Sequence, residues 1–232
     1  MIKKIQNESL FAISEKKKKT WLSHSGIEGM NRCKRCFYLQ YSNKIYHPEG
    51  IQSRLANRFD IVLKAYFDIY RKKGTLPPFL ANTLKGALQN PFKEVYFHTV
   101  NEQYGFYGKL DECLINEGKY VPIDFKTSSS DPREKDILSA YQNQIDAYSF
   151  LLQQNKKEPA GYGFLIFFYP DLVTDIQKGF PMINHIVRLE THPEKVSERI
   201  QKAIEVLQGA LPESNIDCQF CSWFQKVKKY YV

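Results

Sequence analysis

Two Cys-x-x-Cys units lie near opposite ends of this 232-residue chain, Cys33 with Cys36 and Cys218 with Cys221. In a reducing compartment, units of this kind hold a metal more often than they form disulfides, because their sulfurs converge on one centre. Four thiolates make a complete tetrahedral set. The 181 residues between the units far exceed the roughly 15–20 of a zinc ribbon, which excludes a local finger. The spacing instead predicts a fold whose start and end meet at one metal site, closing a very long loop through metal–ligand bonds. Four sulfurs suit tetrahedral zinc and a cubane iron–sulfur cluster equally, and sequence chemistry leaves both open. Cys113 stands alone inside an alternating strand pattern and reads as a small buried hydrophobe.

Charge narrows the partners. A formal net charge of +8 favours a polyanion, nucleic acid first and an anionic membrane surface second. The most apolar window, 163–169, is far shorter than the roughly 18 residues that span a bilayer, so no membrane-spanning helix is expected. Residues 1–10 lack the apolar stretch and cleavage site of a secretory signal, which points to a cytoplasmic protein. Length predicts one elaborated domain, here 23–232, preceded by a basic segment over 1–22. The lysine runs at 16–19 and at Lys226, Lys228 and Lys229 read as solvated faces, with phosphate contact as the functional alternative.

Periodicity predicts helix, sheet, helix, sheet, helix. A short helix over 25–41, capped by Ser25, carries the first cysteine pair. A second helix over 52–71 presents Leu55, Phe59, Val62, Leu63, Tyr66 and Ile69 at helical spacing. Strands follow at 94–100, 104–116 and 119–127 as an antiparallel meander, then a helix over 134–153, strands at 161–169 and 182–190, and a helix over 193–208.

The stretch 109–127 carries the chemistry. Asn116-Glu117-Gly118-Lys119 reads as a tight hairpin turn, and centring it between Glu117 and Gly118 opposes Ile115 with Tyr120, Cys113 with Pro122, and Asp111 with Asp124. Directly opposed side chains approach to roughly 5 Å, so two carboxylates there repel unless something positive lies between them. Alternation puts Tyr120, Pro122, Asp124 and Lys126 on one face, with Val121, Ile123 and Phe125 on the other. Lys126 therefore stands beside the aspartate pair. A bulge would break this register, and Pro122 requires a position that needs no ladder donor. Two carboxylates with a neighbouring lysine suit a hard cation such as Mg²⁺ or Mn²⁺ and phosphodiester hydrolysis beside it; a structural salt-bridge cluster is the plainer alternative. Along the next helix, Ile137, Tyr141, Gln144, Tyr148 and Leu151 form one stripe. Gln144 is a polar residue on that apolar face, to be satisfied by a phosphate, a metal-bound water, Lys126 or the neighbouring backbone, while Tyr148 reads as core packing.

These residues resemble the PD-(D/E)XK nuclease superfamily, especially its RecB-like branch and the CRISPR-associated RecB-like iron–sulfur exonucleases. The resemblance runs from about Ser23 to Trp223. Gly108-Lys109-Leu110-Asp111 is similar to the family's G-x-(I/L)-D motif, Ile123-Asp124-Phe125-Lys126-Thr127 to D-x-K-T, and Gln144-x-x-x-Tyr148 to the accessory Q-x-x-x-Y. Cys33-Lys34-Arg35-Cys36-Phe37-Tyr38-Leu39 resembles the amino-terminal cysteine segment of iron–sulfur members, although those divide their cysteines one and three where this chain divides them two and two.

The resemblance implies an α/β fold with a restriction-endonuclease-like core, a central mixed sheet flanked by helices, and chain ends joined at a four-cysteine site. It implies a metal-dependent DNA nuclease in which Asp111 and Asp124 bind Mg²⁺ or Mn²⁺, Lys126 assists the attacking water, and Gln144 and Tyr148 position the strand. Cys33, Cys36, Cys218 and Cys221 would hold a [4Fe-4S] cluster, with Zn²⁺ as the alternative. Implied partners are DNA and a CRISPR integrase complex or a helicase, in CRISPR adaptation or DNA repair. RecB-like members usually supply a metal-binding histidine from the helix before the sheet; 52–71 contains none, and Asp60 occupies the position. A chain lacking that ligand could instead be a catalytically silent DNA-binding or assembly subunit retaining the nuclease fold.

Overall fold

A computed structural model of the chain describes residues 19–48, 54–134, 138–172, 179 and 181–231. Expectations for 1–18, for Gln52 and Ile137, and for the side chain of Leu55 lie outside the described residues. In chain order the elements are β1 (Thr20–Ser23), α1 (His24–Arg32), α2 (Lys34–Ser42), α3 (Arg54–Lys73), the single turn α4 (Pro78–Ala81), β2 (Ala87–Leu88), β3 (Val95–Thr99), β4 (Tyr104–Lys109), β5 (Glu112–Asn116), β6 (Lys119–Thr127), α5 (Leu138–Gln154), β7 (Tyr162–Pro170), β8 (Met182–Glu190), α6 (Glu194–Gln208) and α7 (Gln219–Val227).

The strands form two sheets, a three-stranded one ordered β1-β4-β3 and a five-stranded one ordered β2-β5-β6-β7-β8. Both are mixed: β1 with β4 and β6 with β7 run parallel, the remaining neighbours antiparallel. The expected strand over 104–116 is thus two strands. Leu110, fully buried, donates its N–H to Glu94 O at 2.8 Å and ends the β3–β4 ladder, and Glu112 then enters the second sheet opposite Ile123. Leu110 and Cys113 enter the same apolar cluster while Leu114 enters the other, so the parity of the side chains changes at the crossing. The first sheet also takes in Thr20, Trp21 and Leu22, which sequence reading assigned to the amino-terminal basic segment. Lys19 is held here as well, its ammonium donating to the carbonyls of Asn101 and Glu102 at 3.0 Å.

The helix expected over 25–41 breaks at Cys33, which is extended (φ −160°, ψ 108°) between α1 and α2. Its cap is Ser23 rather than Ser25, because the Ser23 hydroxyl accepts from Gly26 N–H at 3.2 Å and satisfies one of the helix's free donors. α3 buries Leu63 and Phe67, whereas Val62 and Ile69 are half exposed; the stripe that meets the sheet is narrower than the spacing implied.

Alternate residues of the strands feed two apolar clusters. One holds Cys113, Leu165 and Phe167 against Ile145, Tyr148 and Leu151 of α5 and Val196, Ile200 and Ile204 of α6, together with Ile27 and Met30 of α1. The other holds Leu114, Val121, Ile123 and Ile166 against Phe67 of α3 and Leu80 of α4. Cys113 is fully buried, and burial pushes its thiol up to about 12, consistent with the structural reading. Among the described residues no helix is long and apolar enough to cross a membrane.

Candidate active site

The register of the β5–β6 hairpin positions the site. Ile115 lies opposite Tyr120 and Cys113 opposite Pro122, as the turn predicts, and Glu112 opposite Ile123 is the last rung. Between the Tyr120–Pro159 bridge and the Ile123–Phe164 pair the register toward β7 slips by two residues, so Pro122 sits where the ladder is interrupted and needs no donor. Asp111 stands one residue beyond the last β5 rung. Its Oδ2 accepts the N–H of Phe125 at 2.9 Å, filling with a side chain the place of a missing strand residue.

Alternation along β6 then separates two environments. Val121 and Ile123 enter the cluster under α3, while Asp124 and Lys126 face α5. Asp124 is 1% exposed. Lys126 Nζ lies 2.5 Å from its Oδ2 and donates to Gln144 Oε1 at 2.9 Å. The Gln144 amide nitrogen donates to Asp124 Oδ1 and to the Tyr148 hydroxyl oxygen, each at 2.7 Å, and the Tyr148 hydroxyl donates to Asp124 Oδ1 at 3.3 Å. The Tyr141 ring closes the set, its centroid 4.7 Å from the Lys126 ammonium. Gln144 thus finds Lys126, one of its expected partners, and Tyr148 contributes its hydroxyl as well as its packing. Gly108 makes room for this helix: a Cβ there would lie 2.6 Å from Leu151 Cδ1 and 3.5 Å from the Tyr148 ring.

The electrostatics are those of a pair waiting for positive charge. Burial, and then the charge of Asp124, raise the Asp111 carboxyl to about 7. Burial also raises Asp124, with Lys126 opposing it. Asp124 Oδ2 is buried and has no aligned hydrogen bond, meeting Lys126 only as an ion pair. Two converging hard oxygen donors, one under-coordinated, fit a divalent cation of the Mg²⁺ or Mn²⁺ type.

Asp60 does not join them. Lys64, one turn along α3, takes the Asp60 carboxylate at 2.9 Å and also reaches Glu94 at 3.1 Å. Among the described residues the cysteines are the one group of three or more ligand-type side chains that converges, and Asp60 is engaged with Lys64, whose charge also reaches Asp111. A nearby cation has captured the carboxylate. Lys64 and Glu94 went unnoticed in the sequence, although the four-residue spacing of Asp60 and Lys64 was a readable signal. They border a cleft of about 530 Å³ that reaches Asp111 and is also lined by Phe92 and Lys93. His24 was missed too: burial pushes it down to about 4 against the pull of Glu28, with Lys126 lowering it further, so a neutral imidazole stands near the catalytic-type lysine. Glu112, next to Asp111, points the other way and forms a buried ion pair with Arg71 at 2.5 Å.

The four cysteines meet as the spacing predicts, clustered as in a metal site, with all four sulfurs within 4.8 Å of one another. Cys36 Sγ lies 3.5 Å from both Cys218 Sγ and Cys221 Sγ, and Cys33 Sγ lies 3.9 Å from Cys221 Sγ. The Asn215 amide donates to Arg32 O at 2.9 Å and pins the incoming carboxy-terminal loop to the end of α1.

A mixed sheet between helices, with two acids and a lysine on one hairpin and a glutamine–tyrosine pair crossing them from a helix, defines an α/β domain of the nuclease class. The chain belongs to the PD-(D/E)XK nuclease superfamily, whose sequence model matches residues 69–225. Among solved structures it is similar to an alkaline exonuclease (LHK-Exo) from Laribacter hongkongensis, with a TM-score of 0.44 and 9% identity over 95% of this chain and 97% of that one. It is also similar to LHK-Exo in complex with dAMP, with a TM-score of 0.42 and 11% identity over 93% and 97%. No curated protein matches the chain significantly.

Proposed function

We propose that the chain is a Mg²⁺- or Mn²⁺-dependent deoxyribonuclease in which Asp111 and Asp124 hold the cation. The observation that carries this reading is the closed network of Asp124, Lys126, Gln144 and Tyr148 built around a buried acid pair that has a single lysine in direct contact. A bound divalent ion supplies polarisation of a phosphoryl oxygen and a lowered pKa for water. Gln144 and Asp124 hold the Lys126 ammonium in place, where it orients the attacking water and offsets charge on the phosphoryl oxygens. Tyr148 fixes the Gln144 amide, so the lysine's geometry is set by buried groups rather than by solvent. Motif resemblance supports a RecB-like setting in the cytoplasm, in CRISPR adaptation or DNA repair beside an integrase complex or a helicase.

For the cysteines, the sulfur spacing supports zinc over [4Fe-4S]. Thiolates about 2.3 Å from one tetrahedral ion stand about 3.8 Å apart, close to the 3.5 and 3.9 Å found here. A cubane gives each thiolate its own iron and holds the sulfurs further apart.

One observation favours a second reading, the silent DNA-binding subunit: Asp60 is engaged by Lys64 instead of the acid pair. Cleavage of labelled single- and double-stranded DNA with Mg²⁺ or Mn²⁺, beside Asp124→Ala, separates the two. Metal-dependent cleavage lost in the variant supports the nuclease, and tight binding without cleavage by the unaltered protein overturns it.

A further inference from the structure

We propose that α7 and the segment after it, together with the chain just beyond α2, form a stacking platform for single-stranded DNA that leads along α1 into the active site. The proposal rests on the nuclease reading for what happens at the end of that path, and on independent observations for the platform itself.

Helix α7 buries none of its residues. It instead displays aromatic rings: Phe220, Trp223 and Phe224 are 47%, 60% and 58% exposed, followed by Tyr230 and Tyr231 at 76% and 78%. Ile45 and Tyr46 continue the same apolar surface across a groove of about 340 Å³ that Trp223 and Phe224 also line. Large rings left in water mark a surface meant for contact. One flat ring already stacks there, His47 on Phe220, with centroids 3.7 Å apart and planes 8° from parallel.

Charge selects the occupant. Residues 29–48 contain Arg32, Lys34, Arg35 and Lys44, residues 218–231 contain Lys226, Lys228 and Lys229, and neither segment contains a carboxylate side chain. These two stretches therefore carry +7 of the chain's formal +8. Aromatic faces interleaved with cations are what a single strand needs, since bases stack on the rings while phosphates meet the ammonium and guanidinium groups. The acids at the platform's border are Asp217, on the cavity wall, and Glu213, 4.0 Å from Arg35. Duplex DNA hides its base faces and would leave the rings unused.

Helix α1 connects the platform with the chemistry. Glu28 in its middle accepts from the side-chain amide of Asn143, the neighbour of Gln144 on α5, at 2.9 Å, and Cys33 at its far end belongs to the cysteine cluster. A cavity of about 530 Å³ follows the helix past Ser25, Gly29 and Arg32 to His47 and Phe220. Nine helical residues span about 13 Å, roughly four stacked nucleotides.

The test uses the full chain carrying Asp124→Asn to prevent cleavage, with a thymidine oligonucleotide of about twelve residues and a duplex of equal length as probes. Trp223→Ala with Phe224→Ala weakens oligonucleotide binding roughly tenfold or more and duplex binding far less, Trp223→Tyr restores most of it, and metal content stays that of the parent. In a Trp21→Phe background, the oligonucleotide quenches Trp223 fluorescence. Unchanged oligonucleotide affinity in the double variant, or absence of quenching, overturns the platform and assigns the rings to a protein partner. Trp223-dependent binding by an otherwise unaltered chain that never cleaves DNA leaves the platform standing and removes the nuclease reading. Normal cleavage with Trp223-independent binding does the reverse.

Discussion

The carboxylate of Asp111 accepts the backbone N–H of Phe125, two residues before Thr127 ends β6 and one residue outside the β5 ladder. A side chain therefore completes the sheet where the strand stops, and the same contact holds Asp111 against Asp124. Asp111→Ala leaves that N–H without its partner and removes an acid at once. Cleavage should fall by roughly a thousandfold or more, on the scale of losing a principal transition-state contact. Single-turnover rates at saturating Mg²⁺ check this, and a residual rate within tenfold of the parent removes Asp111 from the site.

Gln144 is expected to act by positioning. It bonds Lys126, Asp124 and Tyr148 together, so Gln144→Leu should lower kcat about 10- to 100-fold while KM for DNA stays nearly constant. A change confined to KM would assign Gln144 to strand binding.

The Arg71–Glu112 pair is buried on both sides, at 8% and 1% exposure. Removing Glu112 leaves Arg71 only its half-exposed partner Asp68 and the Gln89 carbonyl, so Glu112→Ala should destabilise the fold by about 2–4 kcal/mol, below the full cost of an unpaired buried charge. Urea unfolding of the variant measures it; a loss below about 1 kcal/mol would mean that solvent reaches Arg71 after the change.

Burial and Asp124 raise the Asp111 carboxyl to about 7, against an ordinary value of about 3.9. The folded, metal-free protein therefore keeps a proton on Asp111 that the unfolded chain gives up, so the Asp111 contribution to stability should fall as pH rises from about 4 to about 7, while His24, held neutral in the fold, contributes the opposite trend up to about 6.5. Asp111→Asn should flatten that part of the profile, and Mg²⁺ should oppose the fall by favouring the ionised pair. Denaturation midpoints near both ends of the range, in both proteins, test the sign through the parent-minus-variant difference, in which the His24 contribution cancels; a difference that moves in favour of the parent as pH rises contradicts it.

Cysteine loss should act locally. Neither core cluster contains a residue of α7, which meets the rest of the fold through Cys218 and Cys221, the His47–Phe220 stack and the Asn215–Arg32 hydrogen bond just before it. Cys218→Ser should lose the metal and make the chain after about Leu211 protease-sensitive while most cooperative unfolding persists. Limited proteolysis with metal analysis reads this, and an unchanged digestion pattern in metal-free protein would show that other contacts hold α7.

What was legible in the sequence is what neighbours along the chain control. The hairpin turn set the pairing of Cys113 with Pro122, alternation put Asp124 and Lys126 on one face, and helical spacing aligned Gln144 with Tyr148. The distant cysteine pairs announced their own meeting, because four thiolates in two Cys-x-x-Cys units make a complete tetrahedral ligand set. Partner choice across space was not legible. Asp60 pairs with Lys64 one turn along α3, and α1 and α2 parted at Cys33 where one helix was expected.

The sequence by itself determined the register of the β5–β6 hairpin and the identity of its chemical groups, since turn geometry and a two-residue period act within a few bonds. Only the tertiary structure decided that 104–116 serves two sheets, that Asp111 caps Phe125, and that α7 keeps its rings outside the core. Those outcomes depend on which ladder ends first and which surface finds a partner, and that competition is settled by long-range packing.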